Sequence, residues 1–237
     1  MALPKLNTSR YLTTIPSSGK EVEYRPYLVK EEKILMMALE TKDQSQILRA
    51  VAQVIQECII DDINVSKLAM FDIEYLFMQL RSKASGEIID LKLPCELETC
   101  KHENNFSVDI TKIPVPVSPK IENPISLTDN VSVEMRWPTV SDLQGMTHKQ
   151  LTSMEGATDM FTKLIVNIFE DEQIHSTINE TKADMLAFID SLNAGQFAKM
   201  SNFLGSMPTV ETNVNFKCTK CNHETKVELK GLQSFFT

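Results

Sequence analysis

Glycine is scarce in this chain, at 7 residues of 237. Neither a GxxxxGK[ST] nor a GxGxxG pattern occurs, which excludes the usual phosphate-cradling loops. Long apolar runs are missing too; none approaches the ~20 residues that a membrane helix needs. The opening "MALPKLNTSRYLTT" lacks the charged-then-apolar order of a secretory signal. A cytosolic chain is therefore expected, with its cysteines as free thiols or metal ligands rather than disulfides. Positive charge is in deficit: 24 basic against 32 acidic residues give a formal charge of −8. That balance disfavours a protein whose main task is neutralising phosphates. Hydrolytic signatures are absent as well, with no GxSxG and no HExxH. Of the 4 histidines, His148 sits in a polar stretch and His175 follows an acidic run. No set of residues carries a reaction, and no enzyme is expected.

What is present begins with "YLTTIPSSGKEVEYRPYLV", residues 11–29, which reads as a hairpin turning at Pro16-Ser17-Ser18-Gly19. "KEEKILMMALE" places Ile34, Leu35, Ala38 and Leu39 on one helical face. A second helix carries Ile47, Leu48, Val51, Val54, Ile55 and Cys58, with Cys58 a core thiol. A third, "MFDIEYLFMQLRSKASG", buries Ile73, Leu76, Phe77 and Leu80. Three helices on short linkers should pack as one bundle. Met36, Met37, Met70 and Met78 read first as core, then as a groove for a partner. Further on, "NVSVEMRWP" alternates as a strand, with Trp137 expected to be buried. Three helices follow, in "TDMFTKLIVNIFED", "TKADMLAFIDSL" and "AGQFAKMSNFLGSM". Thr181 with Asp184 comes close to a capping box. Glu170-Asp171-Glu172 reads as a solvated helix end.

Two cysteine regions repeat one another. "EIIDLKLP" runs into Cys95 and "NFSVDITKI" leaves Cys100; "TVETNVNFKC" runs into Cys218 and "TKVEL" leaves Cys221. Both second cysteines continue as Cys-x-His-Glu, through His102-Glu103 and His223-Glu224. Strand, knuckle, strand, written twice, is the pattern of a zinc ribbon. In a ribbon each knuckle offers two thiolates to one shared metal. Cys95, Cys100, Cys218 and Cys221 are therefore expected to be metal ligands, with a structural Zn²⁺ as cofactor. Two unrelated hairpins, or a ribbon held by packing alone, remain the bland readings. His102 and His223 are the secondary ligand candidates. A four-thiolate zinc leaves no open position and would stabilise rather than catalyse.

The stretches "RPYLVKEEKIL", "FDIEYLF" and the closing "CxxC…LxGLQSFF" resemble the base plate protein family of T-even-like contractile-tailed bacteriophages, over essentially the whole chain. The family pattern implies a first knuckle of C-x(2)-C followed by Gly; here it is C-x(4)-C. The resemblance implies a baseplate hub subunit or hub assembly protein, acting in the host cytoplasm, with residence in the finished tail left open. Its implied partners are other hub proteins or the tape-measure protein, without membrane. A tape-measure chaperone is one alternative. A zinc-ribbon nucleic-acid binder using Lys217, Lys220, Lys226 and Lys230 is another.

The expected fold class is α+β: an N-terminal β-hairpin and helical bundle, and a zinc-ribbon-like β module split by a largely helical insertion. The divisions are 1–86 for the hairpin and three helices, and 87–112 for the first half of the ribbon. Residues 113–208 form the connector, strand and helical insertion, and 209–237 the second half with its tail. Lys30, Glu31, Glu32 and Lys33 are offered as polar partner contacts. Phe235 and Phe236 either cover the ribbon or form an exposed docking tail.

Overall fold

The computed structural model describes residues 6–117, 122–146 and 153–235. It opens with an antiparallel hairpin of β1 (Tyr11–Thr14) and β2 (Glu21–Tyr24), paired Tyr11 to Tyr24 through Thr14 to Glu21. Gly19 closes the turn at φ +68, and its N–H donates to the Ile15 carbonyl. Helices α1 (Val29–Glu40), α2 (Gln44–Cys58) and α3 (Met70–Ala84) then pack together with that hairpin. Their shared core holds Val22, Leu35, Val51, Val54, Ile55, Ile73, Leu76, Phe77 and Leu80. α1 breaks at Lys42, which has φ 55, and Asp43 caps α2 by accepting from the Ser45 and Gln46 N–H groups. The expected apolar stripes of all three helices face this core.

α3 is buried on several sides because it meets the bundle core, the insertion and the core beneath the cysteine hairpins. Phe71 meets Trp137 edge-on at 6.4 Å between ring centroids, and Met78 belongs to the core beneath the cysteine hairpins. At its start Asp72, fully buried, accepts from the Ser17 N–H at 2.8 Å and the Ser17 hydroxyl at 2.6 Å, which fixes the β1–β2 turn.

The first cysteine hairpin is β3 (Ile88–Pro94) with β4 (Glu103–Asp109). Between it and its counterpart lies the insertion, where β5 (Ile125–Ser126), β6 (Val131–Met135), β7 (Ile165–Glu170) and β8 (Gln173–Ser176) form an antiparallel sheet in that order. Helices α4 (Val140–Leu143), α5 (Met154–Leu164), α6 (Lys182–Asp190) and α7 (Ala194–Gly205) accompany it. Val133, Met135, Phe161, Leu164, Met185, Ile189, Met200 and Phe203 make its core. Thr181 opens α6 with a complete capping box to Asp184. The second cysteine hairpin, β9 (Glu211–Lys217) with β10 (Glu224–Lys230), follows.

The structure corrects several expectations. The helix expected through "TDMFTKLIVNIFED" ends at Leu164, and Ile165–Glu170 is a central strand paired with β6 and β8. The insertion thus sets a four-stranded sheet beside its helices. β-Branched Ile165, Val166 and Ile168 with Phe169 suit an extended backbone once strands are available on both sides. Glu170-Asp171-Glu172 is accordingly the β7–β8 turn, with Asp171 at φ 51, and not a helix end. Met36 and Met37 are 60% and 69% exposed rather than core, while Met78 is buried. Glu31 is not available to a partner: it is fully buried, accepting from Arg25 Nη2 and the Leu28 N–H, each at 2.8 Å. Those donors outweigh the upward push of burial and draw its carboxyl down to about 2.

Trp137 is half-buried, stacked on Phe203 at 4.3 Å, and Arg136 turns away to a two-pronged pair with Asp142 at 2.6 and 2.8 Å. Phe235 lies fully buried under the cysteine hairpins, which removes it as a docking tail; Phe236 and His148 lie outside the described residues. Among the described residues no helix is long and apolar enough to cross a membrane.

Candidate metal centre

Each cysteine hairpin brings its first cysteine one step past the last paired residues of the ladder. Pro94 pairs with Glu103 and Lys217 with Glu224. The Cys95 N–H then donates to the His102 carbonyl and the Cys218 N–H to the His223 carbonyl, both at 2.9 Å. The residue after each second cysteine is left-handed: Lys101 at φ 42 and Asn222 at φ 59. That conformation returns the chain into the second strand. Asn tolerates it well, and Lys, with no local polar compensation, less so. The two hairpins therefore have the same register on either side of knuckles of different length.

The hairpins pack face to face. Leu91, Leu93, Val108, Val214, Leu229 and Phe235 share a core, and the rings of Phe106 and Phe216 lie 6.1 Å apart. The carboxylate of Glu74 ties the second hairpin to α3, accepting from the Val210 N–H at 2.8 Å and the Thr209 hydroxyl at 2.9 Å. Burial pushes this carboxyl up. At the knuckle end the four sulfurs converge. Cys95 Sγ lies 3.7 Å from Cys221 Sγ, Cys100 Sγ lies 3.9 Å from Cys218 Sγ, and all four fall within 4.8 Å of one another. Both short distances cross from one hairpin to the other, over sequence separations of 126 and 118 residues.

The distances decide between chemistries. A disulfide needs sulfurs at about 2.05 Å, which none of these approaches. Four thiolates at about 2.3 Å from a tetrahedral zinc stand about 3.8 Å from each other, which the two cross-hairpin separations of 3.7 and 3.9 Å match. The donor set, all soft sulfur, also suits zinc over a hard cation. Cys95 and Cys218 are buried, Cys100 is half-buried and Cys221 exposed at the rim. His102 and His223 stand outside this ligand group, so the histidine alternative is not taken up. Cys58 is far from this chemistry as a core thiol on α2, with burial pushing it up to about 11.

Two polar side chains that the sequence reading missed complete the surroundings. Asn104 is buried on β4, and its Nδ2 donates to Cys218 Sγ at 3.7 Å and to the His102 carbonyl at 3.0 Å. Its Oδ1 accepts from the Thr219 N–H at 2.9 Å and hydroxyl at 3.0 Å. Thr225, buried at the matching place on β10, donates its hydroxyl to Cys95 Sγ at 3.8 Å. Each hairpin thus supports the first cysteine of the other. The signal was present in the repeat: both residues fall four places after the second cysteine, on an inward position of a strand.

Electrostatics favour a cation at the centre. Against the upward push of burial, the Cys221 and Lys220 N–H groups and the Asn104 amide bring the Cys218 thiol down to about 6. The His223 N–H favours a thiolate at Cys221 as well, but burial and the other three sulfurs push that thiol up to about 12. Without positive charge among them, four adjacent sulfurs cannot all ionise.

No curated protein and no solved structure matches this chain. A family match runs over residues 8–237, taking in both cysteine hairpins and everything between them. By that match the chain belongs to the T4 bacteriophage base plate protein family.

Proposed function

We propose that the chain is a non-enzymatic subunit or assembly factor of the baseplate hub, working by protein–protein contact. A structural zinc on Cys95, Cys100, Cys218 and Cys221 holds its shape. The observation that carries the metal reading is the convergence of four sulfurs at tetrahedral spacing from two distant hairpins. When bound, zinc supplies a clamp and no reaction, because four thiolates fill its tetrahedral shell. Asn104 and Thr225 orient the sulfurs. The clamp closes the base of the insertion, so the α/β unit of residues 122–146 and 153–208 is presented as a fixed body. Rigid presentation lowers the ordering cost of a partner's docking, which is what an assembly factor needs.

Family membership supports the baseplate role, and the charge distribution supports protein partners over nucleic acid. Of the four lysines on the second hairpin, two are opposed by acidic neighbours, Lys217 by Glu224 at 3.3 Å and Lys230 by Glu211 at 3.8 Å, and the whole chain carries −8. The test is mass spectrometry of purified virions together with affinity capture of the tagged chain from infected cells. Recovery with other hub proteins at fixed stoichiometry is the expected result. Recovery with the tape-measure protein alone, and absence from virions, would replace the subunit reading by the chaperone one. Retention on DNA that falls steeply with salt would overturn both.

A further inference from the structure

The sheet of the insertion is open along one side. In the strand order β5-β6-β7-β8, β8 lies at the edge and pairs only with β7. A two-residue turn, Asp171-Glu172, joins them, with Glu170 opposite Gln173 as the closing pair. In such a ladder alternate residues bond the partner strand, here Gln173 and His175. Ile174 therefore turns its N–H and C=O to the open side, and Ser176 its N–H. Among the described residues no backbone group of another element bonds to them. β8, Gln173-Ile174-His175-Ser176, also carries no proline and no lysine, the residues that commonly block an added strand. Ile174 is 65% exposed, and Ile178 just beyond it 88%.

Behind this edge, between the sheet and α6, lies a pocket of about 280 Å³. Its apolar floor includes Ile168, Met185 and Phe188. His175 reaches it from β8, on the same face as its partner Ile168. The volume falls just below the roughly 300–1,000 Å³ of small-molecule pockets and suits one long side chain. The lining is acidic, with Glu170, Glu180 and Asp184 and no lysine or arginine. The described lysines and arginine of the insertion are engaged elsewhere: Arg136 with Asp142, Lys163 and Lys182 with Asp159, and Lys199 on the Ser126 carbonyl. Asp184 accepts from the Thr181 hydroxyl, a neutral donor that leaves its charge in place. His175 Nε2 stands 3.7 Å from Glu170, and the adjoining Asp171 and Glu172 add further negative charge. Two copies joined edge to edge would bring two such acidic ends together with no cation between them, which disfavours a second copy as occupant.

We infer that β8 receives an extended segment of a partner protein as a fifth strand, with a lysine or arginine on its inward face and apolar residues on its outward face. The unpaired backbone groups of Ile174 and Ser176 select a strand over a helix. Alternate side chains of that strand fall beside His175, over the pocket, and beside Ile174, on the opposite face. The basic side chain lays its stem on Met185 and Phe188 and its charged head among Glu170, Glu180 and Asp184. The inference rests on the assembly reading for the source of the segment, and it names the partner chemistry which that reading leaves open.

The test uses the full zinc-loaded chain and three fluorescein-labelled peptides of about eight residues, with valine on the outward face. The first carries a central inward Lys and the second Glu in its place. The third keeps the Lys but has proline at the adjoining position, which removes a backbone donor. Anisotropy should show the Lys peptide binding at least about tenfold tighter than the Glu peptide, with the gap narrowing as salt is added. The proline peptide should bind at least about tenfold more weakly than its parent. Amide exchange followed by NMR should slow at Ile174 and Ser176 when the Lys peptide is bound. Glu180→Lys, at an exposed position and with folding checked by circular dichroism, should weaken the Lys peptide and strengthen the Glu peptide. Equal affinity for the Lys and Glu peptides, no binding of any, tolerance of the proline, or unchanged exchange at Ile174 would overturn the proposal. Self-association relieved by Ile174→Lys would also overturn it, by making a second copy the occupant. Failure here with the chain still found in the hub counts against the β8 edge alone. Peptide binding with the chain absent from hub and virion counts against the assembly reading alone.

Discussion

In the first cysteine hairpin four residues separate Cys95 from Cys100, and in the second two residues separate Cys218 from Cys221. Outside the knuckles the two match closely. Each closes its ladder with the first cysteine's N–H on the histidine carbonyl at 2.9 Å, and each leaves its second cysteine through a left-handed residue. The difference is absorbed locally. In the first knuckle the Cys100 and Lys101 N–H groups both fold back onto the Leu97 carbonyl, at 2.8 and 3.1 Å, where the second knuckle has one return bond from Asn222 to Cys218. Sulfur positions are therefore set by the strand register and by the other hairpin, and the turn between the cysteines is free to vary. That is why a wide first knuckle does not disqualify Cys95 and Cys100 as partners of Cys218 and Cys221.

The comparison breaks most visibly if the two halves do not depend on one metal. Removing zinc with a chelator should lower the free energy of unfolding by on the order of 5 kcal/mol, the scale of closing a loop of more than a hundred residues. Cys95→Ser and Cys218→Ser should each cost the same amount in a denaturant titration, since either one opens the same loop. Unequal losses, with the wide knuckle costing little, would separate the halves.

A control comes from the N-terminal bundle, which has its own core and no sulfur cluster. Glu31 is held at about 2 against its ordinary 4.5, so its contribution is complete above pH 4.5 and fades as pH falls toward 2. Glu31→Gln should cost about 3 kcal/mol at neutral pH and almost nothing near pH 2. Zinc content measured by mass spectrometry should be unchanged. Loss of metal in this variant would show that bundle and hairpins fold as one unit.

How much of this was legible beforehand depends on whether a feature is local. The paired hairpins, Cys58, the three helices and the Thr181 cap follow from short-range patterns, and the structure places them as expected. The strand at Ile165–Glu170 was hidden, because Phe161, Leu164, Ile165 and Ile168 also fit a helical stripe. Only the neighbours β6 and β8 decide for the strand, and pairing across the sheet leaves no mark in a local window. Glu31 was misplaced for a similar reason. Between Lys30 and Glu32 it looks solvated, and what buries it is Arg25, outside the helix. The convergence of the sulfurs was readable because the repeat is written twice, whereas Asn104 and Thr225 required comparing the repeats beyond their cysteines.

Finer substitutions sharpen the comparison. Asn104→Ala removes the bonds to Thr219, the His102 carbonyl and Cys218, leaving buried groups unpaired, and should cost about 2 kcal/mol. Thr225→Val removes a single O–H···S contact and should cost about 1 kcal/mol. Equal costs would mean that the hairpins are interchangeable here, which the greater number of Asn104 partners argues against. The smallest effect lies in the turns. Lys101→Gly relieves a left-handed non-glycine residue and should stabilise by up to about 1 kcal/mol in thermal melts. Asn222→Gly should change stability by only a few tenths, because Asn already tolerates that conformation.

The most direct measurement is zinc K-edge X-ray absorption on the purified chain, with metal content determined on the same sample. One zinc per chain, surrounded by four sulfurs at about 2.3 Å, is the predicted result. A shell containing nitrogen or oxygen, a sulfur count below four, or no stoichiometric zinc would contradict a single metal joining the two hairpins.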